Sequence, residues 1–184
     1  CVLFGAVSLL EGKVDLVLSG VNRGMNVAED ITHSGTVAAA MEGTLCGIPS
    51  IALSQEFAMW DLDVKVQWDV PERFGADVIR KVAAAGIPEG SLMNVNFPDK
   101  RPDECKGIKM AYTGRRHTGK QLDAKKDKKG RPYYWIHWGD EALDKIQPGS
   151  DLAGLQEGYI TVTPINLDLT DYKLLEKMRE HLES

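Results

Sequence analysis

The sequence predicts an α/β protein built on a parallel sheet with helices on both faces, and three observations carry that expectation. First, residues 14–54 (VDLVLSGVNRGMNVAEDITHSGTVAAAMEGTLCGIPSIALS) run from a short apolar stretch, Leu16-Val17-Leu18, through a loop rich in Gly and Asn and an Ala-rich segment to a second β-type run over 50–53. Strand, loop, helix, strand is the layout of a right-handed crossover between parallel strands, whose apolar runs are continuous because helices cover both faces. Second, Pro71 opens an amphipathic helix with Phe74, Val78, Ile79, Val82 and Ala83 on one face and Gly86 as its stop. Third, a Lys/Arg-rich segment over 115–131 lies between two β-type runs, the pattern of a long hairpin arm.

Each element follows in order. Val2, Leu3, Ala6, Val7, Leu9 and Leu10 recur with helical spacing, so a helix is expected over 2–11 with Gly12 as its C′ residue, delivering the chain into a strand over 15–19. Ser19-Gly20-Val21-Asn22-Arg23-Gly24 then reads as a loop, with Asn26 shortly beyond. Short polar side chains thus sit at the C-terminal edge of a sheet, where open α/β sheets place ligands. His33-Ser34-Gly35-Thr36 directly precede Val37-Ala38-Ala39-Ala40-Met41-Glu42, and Ser34 or Thr36 can cap a helix there. The first amides of such a helix and its dipole make an anion site, although the same residues also serve as a plain N-cap and turn.

Residues 55–70 carry Trp60 and Trp68 among alternating acids and apolars, a pattern open between a short helix and a loop over the sheet edge. The tryptophans read as core or interface rather than ligand contacts. A strand is expected over 91–97, closed by Pro98, with Asn94 and Asn96 on one face, placed either to satisfy loop backbone or to serve a site. Ile108 and Met110 form a short β pattern, and Pro132-Tyr133-Tyr134-Trp135-Ile136-His137-Trp138 an aromatic one. The charge run between them reads as a solvated face. Residues 149–154 read as a turn-rich break and 159–162 as a strand. Thr170 or Asp171 can cap a last helix with Tyr172, Leu174, Leu175, Met178 and Leu182 on its apolar side.

A chain of 184 residues with 43% hydrophobic content suits one domain, or one domain plus an arm. A net charge of -5 argues against general nucleic-acid binding, which needs clustered positive charge, and leaves small phosphates open. Cys1, Cys46 and Cys105 share no metal-ligand spacing and read as free thiols of a reducing compartment. No apolar run approaches the roughly 20 residues of a membrane span, so the expected location is cytoplasmic.

Several segments together resemble one family. Ser19-Gly20-Val21-Asn22-Arg23-Gly24, then Ser34-Gly35-Thr36-Val37-Ala38-Ala39-Ala40-Met41-Glu42-Gly43 and Gly47-Ile48-Pro49-Ser50-Ile51-Ala52, have the order and spacing of the SurE family, stationary-phase survival proteins that act as metal-dependent nucleotidases. Asn94-Val95-Asn96-Phe97-Pro98, Gly130-Arg131-Pro132-Tyr133-Tyr134-Trp135 and Gly158-Tyr159-Ile160-Thr161-Val162-Thr163-Pro164 extend the resemblance over the whole chain.

The resemblance implies a Rossmann-like three-layer sandwich with a C-terminal β-hairpin arm for oligomerisation, divided into a catalytic portion over 1–106 and an assembly portion over 107–184 that builds a homodimer or homotetramer. It implies a phosphomonoesterase for nucleoside 5′-monophosphates, with 3′-monophosphates and short polyphosphate as further substrates. Such hydrolysis needs a cation against developing charge and donors for the phosphoryl oxygens. By the same resemblance Asn22 ligates a divalent ion, Mg²⁺ or Mn²⁺, through its amide oxygen, and Asn26, Ser34, Gly35 and Thr36 hold the phosphate. Asn96 lies near the functional edge, and His33 stands where the family often has tyrosine, as a conservative replacement or a pH-sensitive contact. The family's paired aspartates, its principal metal ligands, and a further serine ligand precede the position matching Cys1, and neither Asp15 nor Asp30 substitutes for them. The expectation is therefore a chain that starts inside the domain and carries the phosphate cradle without the principal carboxylates.

Rival chemistries fit less well. Gly20-Val21-Asn22-Arg23-Gly24 has the outline of a hydrolase nucleophile elbow with asparagine where serine must stand, and no G-x-G-x-x-G follows the first strand as a dinucleotide-binding oxidoreductase requires. The alternative is a non-catalytic phosphate- or nucleotide-binding or assembly protein.

Overall fold

A computed structural model describes residues 1–57, 65–115, 120–138 and 146–183. Its centre is a five-stranded sheet formed by β1 (Val17–Arg23), β2 (Ser50–Gln55), β3 (Ser91–Phe97), β7 (Ile160–Asn166) and β4 (Ile108–Met110), in that spatial order. β1, β2 and β3 are mutually parallel, β7 runs antiparallel to β3, and β4 is parallel to β7. The α/β expectation holds, and the continuous apolar run over 50–53 has its cause: every residue of the interior strand β2, flanked by β1 and β3, is buried.

Side-chain alternation sorts the sheet into two faces. One face meets α3 (Asp69–Ala85): Ile51, Leu53, Val95, Phe97, Ile160 and Val162 pack with Val70, Val78 and Val82. Pro71 lies in the first turn of α3, where its missing amide costs nothing, and Gly86 stops the helix at φ 82°. Ala83, expected on the buried side, is exposed. Trp68 is the half-buried N-cap residue of α3, and Trp60 lies outside the described residues.

The other face meets α2 (Gly35–Leu45) and α4 (Asp151–Gln156). Val37 and Ala40 of α2 pack with Ala52, Leu92 and Ile165. α2 comes very close to the strands at Gly43, where a Cβ would stand 2.4 Å from Ser50 Oγ and 2.8 Å from Val17 Cγ2. A glycine is needed there to let helix and sheet touch.

Three local expectations are corrected. The segment over 2–11 is a short helix, α1 (Val2–Phe4), continuing as a π-helical turn (Gly5–Leu9), and it buries none of its residues. β1 does not end at Ser19: after an irregularity between Ser19 and Asn22 the ladder resumes with Asn22 opposite Ser54 and Arg23 opposite Gln55, so most of the expected loop is strand. That path demands glycine at position 20, where a Cβ would stand 2.1 Å from Leu53 O and φ is 125°. Finally, the expected break over 149–154 contains α4, capped by Ser150 Oγ accepting from Ala153 N at 3.2 Å, with Asp151 through Leu155 buried.

A separate antiparallel pair, β5 (Lys120–Lys126) and β6 (Pro132–Trp138), makes a hairpin, but not from the two runs expected: its first strand lies inside the charge run, because Ile108–Met110 pairs with β7 in the main sheet instead; Leu122, Tyr133, Tyr134 and Trp135 are exposed. Residues 116–119 of the charge run lie outside the described residues. The chain ends in α5 (Tyr172–Leu182), capped by Asp171 Oδ1 accepting from Leu174 N at 2.9 Å, with Tyr172, Leu174, Leu175, Met178 and Leu182 exposed. Among the described residues no helix is long and apolar enough to cross a membrane.

Candidate functional site

The C-terminal ends of β1, β2 and β3 carry a row of small polar side chains on the α2 face. Asn22 stands in register with Ser54, Ser54 with Asn96, and Asn96 with Thr161 of β7. One residue pair further down, Ala52, Asn94 and Thr163 form the next row. Ser54, Asn94, Asn96, Thr161 and Thr163 are all buried and make a polar layer under the sheet edge, above the contacts of Ala52, Leu92 and Ile165 with α2.

The chain leaving β1 is tied down onto that layer. Gly24 N donates to Gln55 O at 2.9 Å. Asn26 N donates to Asn96 Oδ1 at 2.8 Å, and Asn26 O accepts from Asn94 Nδ2 at 2.8 Å and Asn96 Nδ2 at 3.1 Å. Asn26 Nδ2 in turn donates to Ser54 Oγ at 2.6 Å. A buried amide and carbonyl each need a partner, and two strand asparagines provide both. The paired alternatives for Asn94 and Asn96 therefore resolve toward holding a loop, and the loop they hold is the one with the candidate residues. Among the described residues, Asn94 Oδ1, Thr161 Oγ1 and Thr163 Oγ1 are buried with no hydrogen-bond partner.

Beyond Asn26 the backbone turns at Ala28, which has φ 51°, and runs through a 3-10 helix (Ala28–Thr32) to His33. Ala28 N donates to Asp151 Oδ2 at 2.9 Å, while Asp151 Oδ1 accepts from Gly114 N at 2.9 Å and Leu152 N at 2.8 Å. Asp151 is fully buried at the first position of α4. It was missed in the sequence because it looked like one more turn residue beside Gly149; the signal available was Ser150-Asp151 ahead of an apolar run, a helix start. Ser54 was missed too, although Ser50, Ala52 and Ser54 alternate onto the face that carries Asn94 and Asn96.

Ser34 is the N-cap of α2, its Oγ accepting from Val37 N at 3.1 Å. A hydroxyl keeps its proton to donate while accepting there. The amides of Gly35 and Thr36, ahead of Val37, have no acceptor among the described residues. Gly35 and His33 are exposed and Ser34 and Thr36 half-buried, so this helix start opens outward. No hydrogen bond among the described residues joins Ser34, Gly35 or Thr36 to Asn22 or Asn26. The first group hangs from the helix start, the second from the sheet edge.

Asn22 is half-buried, and its Nδ2 donates to Gly24 O at 2.8 Å, which commits the amide nitrogen and leaves Oδ1 to accept or ligate. A neutral oxygen suits a hard divalent cation but is one ligand of the six or so such an ion takes. Among the described residues no group of three His, Cys, Asp or Glu side chains is placed to hold a metal ion. The described residues thus leave one neutral amide oxygen at this edge free to accept, and no carboxylate centre beside it.

Comparison with known proteins adds a frame for this geometry. The family model described as Survival protein SurE matches residues 1–120. A protein named 5'-nucleotidase SurE from Bradyrhizobium sp. (strain ORS 278) is 49% identical over 174 residues, covering 93% of this chain and 68% of that protein. Another of the same name from Afipia carboxidovorans is 46% identical over 181 residues, covering 97% of this chain and 70% of that protein. The crystal structure of the SurE protein from Aquifex aeolicus superposes with a TM-score of 0.81 at 41% identity, covering 100% of this chain and 72% of that one.

Proposed function

The chain belongs to the SurE family, and from that premise we propose that it is a phosphomonoesterase acting on nucleoside 5′-monophosphates, with 3′-monophosphates and short polyphosphate as further substrates. The observation that supports this most is the outward-facing start of α2, where the Gly35 and Thr36 amides have no acceptor among the described residues and Ser34 keeps its hydroxyl proton. Two amides and a hydroxyl at the positive end of a helix suit the oxygens of a phosphoryl group. Because these donors carry no formal charge, they bind the anion without neutralising it.

In this reading Ser34, Gly35 and Thr36 hold the phosphoryl oxygens and Asn26 sets the floor of the cradle from its anchored position. Asn26 has one amide proton committed to Ser54, so its direct contribution to phosphate is at most the other. His33, exposed beside the cap, would meet the substrate's exposed part. Asn96 acts through Asn26. A divalent ion, Mg²⁺ or Mn²⁺, would take Asn22 Oδ1 as one ligand and would supply positive charge against the negative charge of the transferred phosphoryl group. The described residues do not complete its coordination, and no step is derived through it.

The proposal extends to organisation. Residues 1–106 form the catalytic portion and 107–184 the assembly portion, although β4 and β7 of the latter pair within the main sheet. The exposed aromatic face of β6 and the exposed apolar side of α5 would be covered in a homodimer or homotetramer. Free Cys1, Cys46 and Cys105 suit a cytoplasmic location.

The experiment is phosphate release from AMP, 3′-AMP and p-nitrophenyl phosphate by the full protein that carries this chain, with Mn²⁺, with Mg²⁺ and after chelation. The expected result is metal-dependent release, fastest from AMP. Binding of AMP without release under all conditions would replace the enzyme reading with a phosphate-binding one.

A further inference from the structure

We propose that Asp151 is a positioning residue for the phosphate site: its buried carboxylate fixes the left-handed turn at Ala28 that carries the chain from Asn26 to Ser34, and ties that turn to the root of the hairpin arm at Gly114. This rests on the reading of the cradle given above. Among the described residues Ala28 is the one non-glycine residue with a positive φ, 51°. An L-residue takes that conformation at a cost, because Cβ crowds the following carbonyl. The turn holds where something compensates, and the compensation at hand is a charge-assisted hydrogen bond from Ala28 N to Asp151 Oδ2 at 2.9 Å.

The same carboxylate reaches the other way. Oδ1 accepts from Gly114 N at 2.9 Å, and Asp151 N donates to Tyr112 O at 2.9 Å. Gly114 is packed tightly, since a Cβ there would meet both Asp151 Oδ1 and Ser150 Cβ at 3.0 Å. Residues 112–114 leave β4 on the way to β5, the first strand of the hairpin. One buried side chain therefore joins the candidate phosphate loop, the base of the arm and the start of α4. Asn94 and Asn96 hold the loop at Asn26, and Asp151 holds it two residues later. Together they leave the approach to Ser34 little freedom at its start.

The test uses D151N, A28G and the double variant in the full protein. D151N keeps the shape of the side chain but turns one oxygen into an amide donor, which cannot accept from both Ala28 and Gly114. Glycine at position 28 takes a positive φ without the steric cost, so it lessens the need for the carboxylate. Readouts are the Kd of inorganic phosphate, kcat and KM for AMP, and amide hydrogen exchange at residues 26–32, at Gly114 and in β3. D151N is expected to weaken phosphate binding and raise KM by about tenfold, to speed exchange at Ala28 and Gly114, and to leave β3 protected. The double variant is expected to recover most of the phosphate affinity. Exchange at Ala28 and phosphate affinity both unchanged in D151N would overturn the proposal while leaving the cradle intact. So would a uniform loss of protection that A28G does not relieve, which is the signature of a folding role alone. Absence of phosphate and AMP binding in the unaltered protein would instead overturn the cradle itself, and the positioning role with it.

Discussion

Truncating Asn96 and Asn94 separately asks whether the loop beyond β1 is held by the sheet in the way described. Both are fully buried, lie on one face of β3 and have the same side chain, so Asn→Ala leaves a similar cavity at either position. Their hydrogen bonds differ. Asn96 accepts from Asn26 N at 2.8 Å and donates to Asn26 O at 3.1 Å, whereas Asn94 only donates to Asn26 O, at 2.8 Å, and its own Oδ1 has no partner among the described residues. N96A removes two bonds and strands a buried N–H; at about 1 kcal/mol per bond and about 1–3 kcal/mol for the stranded donor, the loss is about 3–5 kcal/mol. N94A removes one bond, leaves Asn26 O still served by Asn96, and deletes an unpartnered oxygen, for a loss of about 1 kcal/mol. Urea unfolding with an unchanged m-value measures both. The reasoning fails if N94A costs as much as N96A, or if N96A falls within about 0.5 kcal/mol of the parent, the range of an ordinary surface change.

Other expectations follow from single contacts. G20A drives a Cβ to 2.1 Å from Leu53 O at φ 125° and should destabilise by more than about 3 kcal/mol, read as loss of soluble folded protein or a large drop in the thermal midpoint. S34A removes the cap of α2 and should cost about 1 kcal/mol, a shift of about 2–4 °C in midpoint for a chain of this size, together with weaker phosphate binding; S34T should restore the stability. Near the last helix, a hydrogen bond from the Tyr172 hydroxyl, then one from the Thr170 amide, holds the Asp168 carboxyl below the usual carboxylate range and raises the Tyr172 phenol. A lowered folded-state pKa means the support is complete above the ordinary carboxylate value and is lost as pH falls through the lowered one. An NMR titration should find Asp168 still charged where exposed aspartates have protonated, and Y172F should bring it back toward the ordinary value.

Much of this was legible in the chain because periodicity reports burial directly. β3 matches its expected bounds of 91–97 because alternation and Pro98 both mark it, and α3 is marked by Pro71, its apolar stripe and Gly86. The Ser34 cap was legible for the same local reason, since an N-cap is a side chain bonded three residues on. What stayed hidden depends on distant partners. Gly20 looked like a loop residue because its role is to clear Leu53 O, a contact across strands. Asp151 looked like a turn residue because its partners, Ala28 and Gly114, are 123 and 37 residues away. The segment over 2–11 had helical spacing, yet spacing says which residues share a face and not what covers it; Leu3, Phe4, Val7, Leu9 and Leu10 are exposed.

The most direct measurement of the central claim is a titration of the full protein with inorganic phosphate and then AMP, followed by backbone amide NMR. The account predicts saturable shifts greatest at Gly35 and Thr36, with smaller ones at Asn22 and in the turn around Ala28, and their loss in S34A. Saturable shifts confined to another surface, with Gly35 and Thr36 unmoved, would contradict it.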